Sequence, residues 1–148
     1  NVDTDKFIQF IKIAQEIDVQ QIMGTKMYDG LTTAIPNIDL PANARWKTVL
    51  DDYIAPMLIW YAQSNYMPFA AYQIKNGGVF KHTSENAQSV DKNEIDFLVE
   101  KARTNAEWYS RRFIDFMSFN QTTYPEYTSN VNDDLYPSND ATFNGWVL

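Results

Sequence analysis

Cysteine is absent from this 148-residue chain and histidine occurs once, at His82. The first absence excludes disulfides, thiolate metal sites, iron–sulfur clusters and thiol catalysis. The second excludes any site that needs two imidazoles. Long apolar runs are also missing. The best candidate, residues 53–72, is interrupted by Pro56, Gln63, Ser64, Asn65 and Pro68, so it is no clean span of about 20 apolar residues. The opening Asn-Val-Asp-Thr-Asp-Lys is polar, without a signal-peptide pattern. It lacks Met, so the sequence is expected to be missing its first residues. Basic charge is in short supply: 12 Lys and Arg stand against 19 Asp and Glu, a net charge of -7. A pI near 4.5 argues against a large nucleic-acid grip, which needs a basic patch.

What is present is enough for one domain with a proper core, since about 150 residues bury about 70% of their unfolded surface. The acidity is localised. Residues 1–40 hold 3 basic and 6 acidic side chains, residues 41–119 hold 9 of each, and residues 120–148 hold none and 4. The last cation is Arg112. The final stretch is rich in Asn, Ser, Thr, Pro and Tyr and is coil-like by composition. The expected organisation is therefore a helical domain over 1–119 and an acidic C-terminal arm over 120–148. That arm keeps five aromatics, Tyr124, Tyr127, Tyr136, Phe143 and Trp146, which a freely solvated linker rarely needs. Packing on its own domain and packing on a neighbour both stay open.

Apolar spacing predicts a first helix over about 4–16, with Phe7, Phe10, Ile11, Ala14 and Ile17 as its stripe. Asp18 and Gln21 have capping-box spacing and predict a second helix through Val19, Ile22, Met23, Met27 and Leu31, closed by Pro36. Gly24 falls inside it, read as close packing in preference to a kink. Residues 37–43 read as a loop. A third helix over about 44–66 carries Leu50, Tyr53, Ile54, Met57, Leu58 and Tyr61. Pro56 should kink it, and Pro68 should end or kink it again before a short helix over 69–74. Asn76-Gly77-Gly78 breaks the chain. Residues 79–83 read as an extended or hairpin-like segment, and 84–90 as a polar loop. Asp91 and Glu94 have capping-box spacing and open the longest helix, which runs to about Phe119. The expected fold class is all-α: a helical bundle with a kinked central helix, a long C-terminal helix, a short extended segment and an extended arm.

Catalytic arrangements are sparse. His82 sits in a polar extended segment and reads as a surface residue, with Glu85 near it only in sequence. Asp51 and Asp52 are adjacent on a helix, so their side chains diverge by about 100°. Asp133 and Asp134 look solvated. No EF-hand, Walker loop, Rossmann fingerprint, His-Glu-x-x-His or Gly-x-Ser-x-Gly elbow occurs. The cations Lys101, Arg103, Arg111 and Arg112 are interleaved with Glu100, Glu107 and Asp115, as on a solvated helix face rather than a DNA patch. The residues therefore read as non-enzymatic, with no cofactor and no metal. The aromatics are the strongest signal, 15% of the chain, and several, including Trp46 and Phe80, fall off the core stripes. Such residues are enriched at protein–protein interface cores.

Several segments together resemble a known family. They are Ile22-Met23-Gly24-Thr25-Lys26-Met27-Tyr28-Asp29-Gly30-Leu31, Asp52-Tyr53-Ile54-Ala55-Pro56-Met57-Leu58, Lys75-Asn76-Gly77-Gly78-Val79, Ser84-Glu85-Asn86-Ala87, and the stretch from Ala106-Glu107-Trp108-Tyr109 to Tyr124-Pro125-Glu126-Tyr127. In order and spacing this is similar to small helical head–tail connector (adaptor, head-completion) proteins of tailed phages, especially those of Bacteroidetes hosts. The resemblance implies a virion structural protein at the head–tail junction, present in the host cytoplasm during assembly. Its subunits would form a ring, usually dodecameric, that docks under the portal and extends the DNA channel toward the tail. It would also touch neighbouring tail or ring proteins, with DNA passing unread through an acidic lumen and no membrane contact. It implies no catalytic residues. The candidate intersubunit contacts are Val79, Phe80, Lys81, Tyr124, Tyr127, Tyr136, Phe143 and Trp146. Two other readings are a helical binding module or regulator that uses the aromatic tail, and a small carboxylate hydrolase built on Asp51, Asp52 and His82.

Overall fold

The computed structural model describes residues 2–76, 85–129 and 134–138. It is all-α, with no strand among the described residues. The chain opens with α1 (Val2–Ile13), a π-helical segment (Ala14–Val19) and α2 (Gln20–Met23), which follow one another without a break. The boundary expected near Ile17 is therefore absent, and Asp18 is no helix cap. Its carboxylate lies inside the run and accepts a hydrogen bond from Asn65 Nδ2 at 3.2 Å. The break comes at Gly24, where φ is +82° and ψ 151°. A side chain is strained in that region of backbone space, whereas glycine is not. The expectation of a glycine inside one helix is corrected: Gly24 ends one helix and starts the next, α3 (Thr25–Ala34).

The expected loop over 37–43 is bounded by two single 3-10 turns, Ile35–Asn37 and Pro41–Asn43. Proline stands second in the first turn and first in the other, positions where its missing N–H costs nothing. Then α4 (Ala44–Val49), a π-helical segment (Leu50–Ile54) and α5 (Ala55–Asn76) run consecutively. The π turn ends two residues before Pro56, the residue that cannot donate back into the helix. Pro68 neither ends α5 nor separates a further helix, because α5 continues to Asn76. The longest helix, α6 (Glu85–Phe119), starts six residues earlier than the sequence suggests. The segment over 85–90 is polar but holds no Gly or Pro, and extending a formed helix adds one hydrogen bond per residue fixed. The expected extended segment at 79–83 lies outside the described residues. A last short turn, α7 (Pro125–Thr128), follows α6.

α5 and α6 pair antiparallel: Tyr53 stacks on Phe116 with ring centroids 4.8 Å apart, and Tyr61 meets Ser110 further along. Ala106, Phe113 and Met117 of α6 face Met57, Tyr61 and Ala62 of α5 in the buried core. The second wall comes from Val19, Ile22, Met23, Met27 and Leu31, all buried. Trp46 fits against Gly30 so closely that a Cβ there would lie 2.8 Å from its ring. α1 closes one side through Phe7 and Phe10, which meet Tyr66 edge-on at 5.2 and 5.5 Å.

Candidate functional site

The C-terminal stretch is where the sequence placed most of its candidate contacts, and two parts of it return to the body. The first is built on Arg45 at the start of α4. Its guanidinium donates to both carboxylate oxygens of Glu126, Nη1 to Oε1 at 2.9 Å and Nη2 to Oε2 at 2.8 Å. It also donates to the Thr123 carbonyl at 3.0 Å. The planar fork matches a carboxylate in two parallel bonds, and this charge-assisted geometry is among the stronger protein hydrogen bonds. The same guanidinium lies 4.4 Å from the Trp46 ring centroid. Tyr124, between these partners, is 2% exposed, and its hydroxyl donates to the Arg45 carbonyl at 2.7 Å. The hydrogen bond from Arg45 holds the Glu126 carboxyl below its ordinary value, and the same bond raises Arg45. Burial raises the Tyr124 phenol.

The second part is the short stretch over 134–138, which docks on the helix break. Breaking a helix leaves amides and carbonyls without intrahelical partners. Here the stretch supplies them. Thr25 N–H, the first amide of α3, donates to the Leu135 carbonyl at 3.0 Å, and Ser138 N–H donates to the Gln21 carbonyl at 3.0 Å. The Thr25 hydroxyl is used to its full capacity. It accepts from Gln20 Nε2 at 3.0 Å and from Leu135 N–H at 3.3 Å, and it donates to Asp134 Oδ1. Pro137 lies directly over Gly24. The Gly-Thr pair is thus a socket for the chain's own C-terminal stretch.

These contacts bear on one reading left open and on one expectation. Of the two packings open for the arm, its described part takes its own domain: 120–129 and 134–138 are bonded to α2, α3 and α4. Tyr124 cannot serve a neighbouring subunit, since its ring is in the core and its hydroxyl is engaged. Tyr127 is half-buried and meets Phe113 edge-on at 5.7 Å. Tyr136 is 66% exposed and is the one described candidate that stands clear of the body. Val79, Phe80, Lys81, Phe143 and Trp146 lie outside the described residues, as does His82. Asp51 is exposed and pairs with Lys47 at 3.3 Å, while Asp39 holds the same ammonium at 3.2 Å. Asp52 is exposed. Among the described residues no three His, Asp or Glu side chains gather as a metal site, and no helix is long and apolar enough to cross a membrane.

Inside the α5–α6 pair, Ser110 donates to the Ala106 carbonyl at 2.9 Å. Its single proton is then committed, so the Tyr61 hydroxyl is the donor in the 3.2 Å contact with Ser110 Oγ. Burial pushes the Tyr61 phenol up to about 12. Burial likewise raises Asp18. Both groups serve packing.

The outside of the molecule holds what sequence reasoning missed. Phe97, Trp108 and Phe119 on α6, Ile8 and Ile17 near the N-terminus, and Ile59 on α5 are all large, apolar and exposed. Single exposed apolar residues are ordinary, but groups of them mark contact surfaces.

The class defined by this architecture is an all-α protein with an antiparallel helical pair and a C-terminal stretch latched onto a helix break. The chain belongs to DUF6712, a family of unknown function, whose model matches residues 19–134. No curated protein and no solved structure matches it.

Proposed function

We propose that this protein is a structural subunit of an assembly, a non-enzymatic ring-forming head–tail connector of a tailed phage. In that role it docks under the portal, extends the DNA channel toward the tail and resides at the head–tail junction of the virion. The observation that carries the reading is the set of large apolar side chains left outside the buried core of the described residues. Phe97, Trp108, Phe119, Ile17 and Tyr136 are more than two-fifths exposed, on separate parts of the surface. A subunit that contacts a different neighbour on each side needs more than one such surface. The resemblance of the ordered motifs to connector proteins points to the particular assembly. The rival reading of a binding module working through an aromatic arm loses its motivation at Tyr124 and Tyr127, which the body itself uses.

The test is to mix the purified chain with its portal protein and image the product by negative-stain electron microscopy. The expected result is a ring stacked on the portal. Failure to join any portal or neighbouring ring sinks the reading.

A further inference from the structure

On α6 the three most exposed aromatic side chains are Phe97, Trp108 and Phe119, at 68%, 49% and 86%. They are eleven residues apart. Eleven residues advance an α-helix by three turns and about 20°. All three therefore lie near one line, on the side opposite the buried Ala106 and Met117, spread over about 33 Å. The outward face of a helix is ordinarily polar. The charged residues within about 65° of this line, from Phe97 to Phe119, are Lys101, Arg111 and Arg112 against Glu100 and Asp115. The Arg112 guanidinium lies 5.0 Å from the Trp108 ring centroid. The face is aromatic and carries net positive charge on a chain of net charge -7.

A surface of opposite character surrounds the helix break. Ile17, 61% exposed, is one turn before Gln21, and Tyr136, 66% exposed, stands between Leu135 and Pro137. Around them are three carboxylates. Asp134 is held by Thr25; burial raises the Tyr28 phenol, and Glu16 and Asp29 are close enough for their charges to add to that rise. The nearby cations are Lys26, whose field acts on Glu126, and Lys12, one turn before Glu16.

We propose that these two surfaces meet in a head-to-tail contact between two copies of this chain, the aromatic, cationic line of α6 on one against the acidic surface at the helix break of the other. The proposal rests on the assembly reading above and assigns its subunit contact. Charge selects this pairing. Two α6 faces packed parallel would set Lys101, Arg111 and Arg112 against their own copies, and packed antiparallel they would still join two faces of the same net sign, which like-charge repulsion disfavours. Pairing unlike patches leaves one of each free on every dimer, so addition continues until a ring closes.

The chain has no cysteine, so single-cysteine reporters are specific. Thr104→Cys lies on the α6 line and Thr33→Cys lies one turn beyond Asp29; both sites are exposed. The full-length variants are mixed and treated with a flexible bis-maleimide. The expected result is a covalent dimer from the mixture and at most a tenth as much from either variant alone. Adding Arg111→Glu and Arg112→Glu to the Thr104→Cys chain should cut the yield at least tenfold. Adding Glu16→Lys and Asp29→Lys to the Thr33→Cys chain should restore it. Phe119→Ser serves as an independent α6 variant if the charge reversal lowers helicity by circular dichroism. Equal dimer from Thr104→Cys alone overturns the proposal in favour of a two-fold contact. No dimer from the mixture overturns it as well. If that chain still forms rings on the portal, only the pairing is lost; if it does not, the connector reading falls with it.

Discussion

Replacing Gly24 with alanine perturbs two independent features of the helix break. The backbone there has φ +82° and ψ 151°, a region occupied almost only by glycine, and holding another residue in it costs about 1–3 kcal/mol. The new Cβ would also lie 2.7 Å from Cγ and 2.8 Å from Cδ of Pro137, closer than real Cβ contacts come. The stretch over 134–138 must then lift. Lifting it weakens the bonds from Thr25 N–H to Leu135 and from Ser138 N–H to Gln21, each contributing about 1 kcal/mol. The sum is a loss of about 3–5 kcal/mol. Urea denaturation followed by circular dichroism and tryptophan fluorescence reads it directly. A double-mutant cycle with Pro137→Ala separates the parts, because that change removes the two ring carbons that clash. In the Pro137→Ala background the cost of Gly24→Ala should shrink toward the backbone strain alone, a coupling of about 1 kcal/mol or more. A cost that is the same whatever stands at 137 would refute the socket, and a cost under about 1 kcal/mol would refute the strain as well.

The Arg45–Glu126 pair makes stability depend on pH. The hydrogen bond from Arg45 holds Glu126 below the ordinary glutamate value of 4.5 in the folded protein, so its contribution is present above the unfolded value and is lost as pH falls through the folded one. Glu126→Gln should flatten that acid limb in denaturation midpoints measured across the window, and an unchanged limb would count against the pair. Tyr61, pushed up to about 12 from 10, works in the opposite direction. Its stabilisation is complete below pH about 10 and fades as pH rises toward about 12. Tyr61→Phe should lose about 1 kcal/mol at neutral pH with the hydrogen bond to Ser110, and a spectrophotometric titration should lose its latest-ionising phenol. Gly30→Ala places a Cβ 2.8 Å from Trp46 Cη2; overpacking of that kind costs about 1–3 kcal/mol, visible as a lowered melting temperature. An unaffected melting temperature would mean that Trp46 is free to move.

Helical class was legible because apolar spacing fixes it locally. Val19, Ile22, Met23, Met27 and Leu31, grouped on periodicity, are all buried. Where spacing failed, a π turn is the reason. Ordinary helical period puts Ile17 on the face of Ala14, yet Ala14 and Val19 are buried and Ile17 is exposed. The π-helical segment over Ala14–Val19 inserts about one extra residue per turn, so the buried step is five and Ile17 turns outward. The same step of five joins Val49 to Ile54 across Leu50–Ile54. A fixed period of 3.6 cannot register that change, and nothing local in either segment announces it.

The candidate site was obscured for a different reason. Trp46, Tyr124 and Tyr127 look like spare aromatics because they belong to no stripe, and the usual inference is that spare aromatics serve a partner. The partner is the body itself. Arg45 reaches 81 positions along the chain to Glu126, and Thr25 reaches 110 positions to Leu135; no window of sequence contains both ends. On α6 only one stripe was sought, and Phe97 and Trp108, which lie off it, were left unassigned. Summing one periodic stripe hides a second one at eleven-residue spacing on the other side. Separating the two requires knowing which side the core occupies, and that follows from Tyr61 meeting Ser110 rather than from α6 alone. Tyr124 and Tyr127, off every stripe, turned inward, whereas Phe97, Trp108 and Phe119 stand outward on a second line of α6. The assembly contact is to be sought among the latter.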